Sequence, residues 1–229
     1  MTENTLTAGH QARSGTDITK LVQAGSGVLI ASFVSIHLLN TWLAAFGPAA
    51  YNGFQQAVRV AYQQPLLEAL LLSAIVVHVV TAVLRWRGGR ARPLSPRAKW
   101  HRYSGIFLLV VMAGHIAAVR GPSWALAIYP GFHGLAFSID FAPYYFYPYY
   151  FLLAVGGFYH GLNGISIAST RLGIPLRLTP RALAVSTGCA AFASAAALAG
   201  FAGVWTDIGD VYDNDFARLA LEILDGFTP

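Results

Sequence analysis

The sequence has few charged residues and almost no cysteine. Asp, Glu, Lys and Arg make up only 11% of its 229 residues, whereas a typical soluble domain has about 25%. The single cysteine, Cys189, lies in an Ala-rich apolar run, which excludes a disulfide framework and a cysteine-ligated iron–sulfur cluster. The first 20 residues are polar, and no apolar stretch follows the first Met, so we expect no cleavable signal peptide.

Long hydrophobic runs are abundant instead. Hydrophobic residues make up 55% of the chain, and the runs approach 20 residues, which is enough to cross about 30 Å of hydrocarbon. We therefore predict an all-α integral membrane protein, a bundle of five transmembrane helices. The predicted spans are residues 21–46, 65–86, 103–119, 148–170 and 181–205.

The segments outside these spans divide the chain into three parts. Residues 1–20 form a polar cytoplasmic tail, residues 21–205 the transmembrane domain, and residues 206–229 an acidic outer segment. Apolar residues recur at helical spacing behind Asp213 and Asp215, which predicts a short amphipathic helix on the outer surface. The connection 121–147 is rich in aromatic residues, and we expect it to lie at the membrane interface.

Lys and Arg are unevenly divided between the two sides of the bundle. One side carries twelve and the other three, so the positive-inside rule predicts a cytoplasmic N-terminus and an outer C-terminus. We expect the chain to lie in a bacterial inner (plasma) membrane. Because these residues lie in short loops, the basic pI indicates topology, and we expect no nucleic-acid partner. The twelve are Arg13, Lys20, Arg85, Arg87, Arg90, Arg92, Arg97, Lys99, Arg102, Arg171, Arg177 and Arg181, and the three are Arg59, Arg120 and Arg218.

Four of the seven histidines, His37, His78, His115 and His160, lie within predicted spans, one on each of the first four helices. Ionisable residues are costly there and indicate function. At about 1.5 Å per residue, His37 and His115 fall in the outer half of the membrane, and His78 and His160 fall in the inner half. The other three, His10, His101 and His133, lie outside the predicted spans.

The pairing of these histidines in depth predicts two b-type haems stacked across the membrane. Two neutral imidazoles facing each other suit low-spin haem iron, with one ligand on each side. A zinc site would need three or four ligands at one depth. A proton path would need more buried carboxylates than Glu68, which is the only acidic residue within a span.

Several short motifs resemble those of a known membrane family. They are His37-Leu38-Leu39-Asn40, Gly47-Pro48, Tyr51-Asn52, Pro65-Leu66-Leu67-Glu68, His78-Val79-Val80, Trp100-His101-Arg102-Tyr103-Ser104-Gly105, His115 and His160-Gly161. Over about residues 20–170, the chain resembles the single-chain, five-helix diheme cytochrome b anchor of succinate dehydrogenases and fumarate reductases. The resemblance implies that His78 and His160 ligate the inner haem, and His37 and His115 the outer haem.

The resemblance also implies partners and a substrate. In that family an iron–sulfur subunit docks on the cytoplasmic face, and a flavoprotein subunit lies beyond it. Electrons pass between a dicarboxylate and a membrane quinone, which is menaquinone or ubiquinone. The chain would then be an electron-transfer and quinone-binding subunit without catalytic residues of its own.

Three polar residues near the cytoplasmic face are candidates to bind the propionates of the inner haem. They are Arg85, Arg102 and Ser104, and the positive-inside rule is a sufficient alternative explanation for the two arginines. These three positions complete the predicted haem-binding set.

A quinone pocket needs a titratable group, and the outer half of the bundle offers few. Glu68 lies about one turn inside the outer end of the second span, and His133 and Asp140 lie in the following outer loop. Glu68 and His133 are therefore quinone-site candidates. In the alternative reading, Glu68 reaches the interface or pairs with Arg59.

Three other functions fit the same pattern. The chain could serve a different dehydrogenase, such as a hydrogenase or formate enzyme, or act alone as a transmembrane haem reductase. It could also be a haem-free transporter or structural anchor. The connection 121–147 and the acidic tail depart from the family pattern, which leaves room for an additional subunit on the outer face.

Overall fold

The computed structural model describes residues 3–88, 93–174 and 176–226, with side chains from residue 18 onward. This part of the chain is all-helical, without strands. Its helices are α1 (Glu3–Trp42), α2 (Pro48–Tyr62), α3 (Pro65–Gly88), α4 (Pro96–Leu126), α5 (Phe132–Phe141), α6 (Pro143–Arg171), α7 (Pro180–Phe201) and α8 (Asp215–Asp225), with a 3-10 turn, Leu43–Phe46, after α1. Arg90, Arg92, residues 227–229 and the side chains of His10 and Arg13 lie outside the described set.

The predicted number of spans is confirmed within the described residues. Five helical stretches are long and apolar enough to cross a membrane. They are Ile18–Phe46, Pro65–Gly88, Pro96–Leu126, Pro143–Arg171 and Pro180–Phe201. The protein is therefore a multi-pass membrane protein.

The helix that contains the third predicted span extends beyond the predicted bounds, 103–119, at both ends. The Ser95 hydroxyl caps α4 by accepting from the Ala98 amide at 3.3 Å, and Pro96 occupies the first helical position. His101, which was expected outside the spans, therefore lies on a membrane-length helix. At the other end α4 continues through Pro122 to Leu126, because a proline removes only one backbone donor.

The long helices run alternately up and down, and α1 and α6 form the centre of the bundle. Helix α3 packs on α1, whereas α4 and α7 pack on α6. We call the end that carries α2, α5 and α8 the capped end. The opposite end is the basic end. It is defined by Arg85, Arg102 and Arg171, which line a central cavity inside the bundle.

The main apolar core lies at the capped end. Phe132 and Phe201 are fully buried there, with ring centroids 4.8 Å apart, and Tyr51 packs edge-on against both. The connection 121–147 is therefore not simply a surface segment, because its central part is the largely buried helix α5. Several aromatic side chains of the connection do remain exposed, and the most exposed of them is Tyr144, at the start of α6.

The amphipathic helix predicted in the acidic tail is present as α8, and Asn214 caps it by accepting from the Ala217 amide at 3.0 Å. Its apolar side chains line the capped end of the central cavity, and Phe216 packs against Gly134 of α5. The tail therefore contributes a wall of the cavity.

Candidate functional site

Two pairs of histidines face each other inside the bundle. The ring centroids of His37 on α1 and His115 on α4 are 6.1 Å apart, with the ring planes at 74°. Those of His78 on α3 and His160 on α6 are 6.4 Å apart, with the planes at 86°. All four side chains line one continuous cavity of about 1660 Å³. These are the pairs that depth along the sequence predicts.

The two pairs lie at different levels of the bundle. Gly27 and Gly105 approach the rings of His78 and His160, and each is ten residues before the histidine of the other pair on its own helix, His37 or His115. At about 1.5 Å per residue, each helix places the levels about 15 Å apart. Two helices thus give the same separation independently.

Residues of helix α1 contact the Nδ1 side of the His78 ring and hold it in place. The Nδ1 atom lies 3.2 Å from the Gln23 carbonyl oxygen and 3.3 Å from the Ser26 hydroxyl, which itself donates to the same carbonyl. A carbonyl can only accept, so Nδ1 carries the hydrogen and the Nε2 lone pair is left free. A Cβ on Gly27 would lie 2.9 Å from the ring, so only glycine allows this contact.

Helix α4 holds the His160 ring in the same way. The Nδ1 atom lies 3.1 Å from the His101 carbonyl oxygen and 3.2 Å from the Ser104 hydroxyl, which again donates to that carbonyl. A Cβ on Gly105 would lie 2.8 Å from the ring. Ser104, a propionate candidate from the sequence, is thus engaged in holding His160.

The two supports share a local sequence pattern. In each, the residue that supplies the carbonyl is followed by a serine three positions later and a glycine four positions later. On α1 these residues are Gln23, Ser26 and Gly27, and on α4 they are His101, Ser104 and Gly105. One helical turn separates the carbonyl from the serine, so both reach the same ring. Hydrogen bonds of this kind orient metal-ligating imidazoles and fix their tautomer.

The second pair is held by aromatic residues. Tyr149 places its hydroxyl 3.4 Å from the His115 Nδ1 atom, and Phe33 stacks on the His37 ring with centroids 5.8 Å apart. Tyr149 and Phe33 were not singled out from the sequence. Phe33 lies about one helical turn before His37 on α1, and Tyr149 lies on α6, which packs on the helix that carries His115. Only the packing shows that these two side chains contact the histidines.

The spacing within each pair fits one metal ion held between two imidazoles. Two rings that bind the same ion from opposite sides at about 2.0 Å have centroids about 6.3 Å apart. The observed values, 6.1 and 6.4 Å, lie on either side of this distance. The cavity also exceeds the volume of about 300–1,000 Å³ typical of a single small-molecule pocket, and glycines approach the rings. The residues therefore fit two haems with axial histidines.

A protein-only metal site has less support in the described part of the chain. No group of three or more His, Cys, Asp or Glu side chains is close enough to hold a metal ion there. A haem supplies four equatorial nitrogens itself and needs only two protein ligands, which matches the paired arrangement.

Arginines gather at the basic end of the cavity. Arg85 donates to the Gln23 side chain, and Arg102 lies over the Trp86 ring at 5.9 Å from its centroid. Arg171, which the sequence argument did not select, lines the cavity beside them. Its signal in the sequence is its position three turns after His160 on α6.

His101 lies directly against an axial candidate. Its ring stacks on His160 with centroids 4.1 Å apart and planes at 4°, and it lines the cavity. Its Nδ1 atom is buried without a hydrogen-bond partner. The sequence prediction missed this contact because it placed His101 outside the third span.

Glu68 at the capped end pairs with Arg120 rather than with Arg59. Arg120 donates to the two carboxylate oxygens at 2.5 and 2.8 Å, which links α3 to α4. Both residues line the cavity. Arg59 instead lies over the Tyr129 ring, 4.2 Å from its centroid.

His133, the other quinone candidate, does not accompany Glu68. Its Nε2 atom contacts the Ile208 carbonyl at 2.9 Å, and the nearby Asp140 accepts from the Tyr212 hydroxyl at 2.9 Å. Neither residue is among those that line the central cavity. Both tie α5 to the C-terminal segment, so their arrangement indicates a structural role.

Comparisons of the chain with protein-family models, with curated proteins and with solved structures found no match. The geometry described above identifies a multi-pass membrane protein with two facing pairs of histidines that line one cavity, and its function is inferred from these residues.

Proposed function

We propose that this chain is the diheme cytochrome b membrane anchor of a succinate:quinone oxidoreductase. It would transfer electrons between an iron–sulfur subunit and membrane quinone. The observation that carries the proposal is the pair of imidazole separations, 6.1 and 6.4 Å, at two levels of one cavity. Two apolar plates, each between two histidines, account for both the spacing and the size of the cavity.

The histidines would act as axial ligands through their Nε2 atoms. His37 and His115 would hold one haem, and His78 and His160 the other. The contacts of Nδ1 with Gln23 and with the His101 carbonyl keep the ligating nitrogen of the second pair free of its proton. When bound, a haem b would supply reversible one-electron chemistry, and two histidine ligands for each haem would suit electron transfer rather than oxygen chemistry.

The arginines of the basic end would hold the propionates of the haem at His78 and His160. Arg85, Arg102 and Arg171 line the cavity at that end and provide bidentate donors for carboxylates. Ser104 would contribute indirectly through its contact with His160.

The quinone would react at the capped end beside Glu68. Quinone turnover moves two protons with two electrons, so the pocket needs a group that exchanges protons. Glu68 is a carboxylate on the cavity wall, and Arg120 keeps it in place. Arg120 also provides donors for an oxygen of the head group.

The partners and orientation follow from the resemblance and from charge. The basic end would face the cytoplasm of a bacterium and bind the iron–sulfur subunit, with the flavoprotein beyond it. The capped end would face outward, where α8 and the acidic tail offer a surface for an additional subunit. Co-purification from a native membrane, with succinate–quinone activity, would separate this assignment from another dehydrogenase.

A reduced-minus-oxidised spectrum of the purified chain tests the proposal. We expect low-spin b-type absorption from two haems per chain. His78→Ala or His160→Ala should remove one haem and leave more of the other, whereas His133→Ala should leave both. A well-folded preparation without haem would overturn the proposal.

A further inference from the structure

A buried amide at the capped end has one polar atom without a partner. Asn40 is only 5% exposed, lines the cavity, and its Oδ1 atom has no hydrogen-bond partner. It lies three residues after His37 on α1, so both side chains are on the same helical face. An unpaired buried polar atom is costly, and it needs a reason to be kept.

Other polar side chains surround this amide. Asn40 faces the Tyr51 hydroxyl, to which the Gln55 amide donates at 3.4 Å. Tyr150 lies nearby and also lines the cavity. Exchanging the oxygen and nitrogen of the Asn40 amide leaves the other atom unpaired instead, so an unused hydrogen-bonding group remains in either assignment.

The charge of this cluster points to a neutral ligand. Asn, Gln and protonated Tyr carry no charge, and burial raises the pKa of the Tyr51 hydroxyl, with Tyr62 and Tyr150 adding to the effect. Arg120, which lines the cavity at this end, is already paired with Glu68, so the cluster disfavours an anion such as a propionate. The basic end, with three arginines, is the opposite case.

We propose that Asn40, together with Tyr51 and Gln55, hydrogen-bonds a ring oxygen of the quinone head group. This inference rests on the proposed function. A quinone carbonyl accepts a hydrogen bond, whereas a quinol hydroxyl can also donate one. An asparagine amide offers both a donor and an acceptor, so Asn40 binds the oxidised and the reduced form. The apolar wall that α8 adds to this end accommodates the isoprenoid tail.

Replacing Asn40 by leucine tests the proposal. The probes are a short-tail naphthoquinone and a short-tail benzoquinone, titrated into the purified chain in detergent and followed by tryptophan fluorescence. We expect Asn40→Leu to weaken binding of the preferred probe about tenfold, the effect of one buried hydrogen bond. Without probe, Asn40→Leu should unfold at about the same temperature, because it removes an unpaired oxygen together with the contact to the Tyr51 hydroxyl.

Matched variants control for a folding defect. Tyr51→Phe and Gln55→Leu should each weaken probe binding several-fold, whereas Gln64→Leu removes an exposed amide outside the cavity and should leave binding unchanged. Equal binding by wild type, Asn40→Leu and Gln55→Leu overturns the inference, as does a wild type that binds neither probe. The haem content of the same samples reports separately on the proposed function.

Discussion

Each imidazole of the His78–His160 pair rests against a glycine of a neighbouring helix. Glycine is required at Gly27 and Gly105 for space, since their conformations are ordinary helical ones. A Cβ at either position would come within 2.9 Å of the ring. The serine one residue earlier adds a hydrogen-bonding contact, so each Ser-Gly pair provides both the space for the ring and a polar partner for its Nδ1 atom.

Gly105→Ala should displace His160 and lower the haem content from two toward one per chain. Loss of an orienting contact typically costs tenfold or more in metal affinity. Gly188→Ala on α7 is the control, because Gly188 lies outside the cavity and a Cβ there meets nothing within 4 Å. Haem content and the difference spectrum measure both variants, and an unchanged spectrum in Gly105→Ala would contradict the role assigned to this contact.

At the scale of elements, an ion pair connects α3 and α4 at the capped end. The side chains of Arg120 and Glu68 are 15% and 21% exposed, so water screens their interaction only in part. Removing one partner leaves the other charge poorly solvated, which is the main cost of breaking such a pair.

Arg120→Leu should therefore destabilise the chain by about 2–4 kcal/mol, measured by unfolding in detergent. Arg218→Leu breaks exposed pairs with Asp213 and Asp215 and should change stability little.

Glu68→Gln should keep the fold but reduce quinone turnover in the assembled complex. Intact turnover in that variant would exclude Glu68 from the quinone site.

Helix α7 meets the 3-10 turn after α1 at a close backbone contact. A Cβ on Gly200 would collide with the Ala44 carbonyl, and Gly200 is buried. The Trp205 indole, which follows α7, donates to the Ala45 carbonyl at 2.7 Å. This hydrogen bond links the end of α7 to the same 3-10 turn. The elements of the capped end are thus held by backbone approach as well as by aromatic packing.

Gly200→Ala should cost about 1–3 kcal/mol, as overpacking does in a dense core. Gly188→Ala on the same helix has open space around the new Cβ and should be stabilising by up to about 1 kcal/mol through helix propensity. Thermal unfolding of the two variants gives a direct comparison. The same sign of change in both would show that the close contact is not decisive.

At the scale of the whole molecule, the five spans of the described residues place the two ends of that part of the chain on opposite sides of a membrane. The cavity runs through the bundle between an end rich in arginine and an end covered by short helices. For the electron carrier proposed above, this polarity would provide two distinct faces, one for a soluble partner and one for quinone.

Reporter fusions test the orientation of the whole chain. A reporter that is active only in the cytoplasm should work at the N-terminus and fail at the C-terminus, and a reporter active only outside should give the reverse. Substituting the arginines of the basic end by neutral residues should weaken this preference. Both termini on one side would contradict the five-span topology.

The sequence by itself determined the class of the protein, the number of spans and which four histidines lie within them. The length of an apolar run and the position of a histidine along it are both local properties of the sequence. It also predicted the two pairs, since depth along a helix follows from residue number alone. It misplaced the ends of α4, where the Ser95 cap and tolerance of Pro122 extend the helix past the apolar run.

Only the tertiary structure decided which side chains meet across helices. Glu68 pairs with Arg120 and not with Arg59, His133 turns away from the cavity, and His101 stacks on His160. These contacts depend on the rotation of each helix about its axis and on where the short helices fold back. Packing sets both, through contacts between residues far apart in the chain.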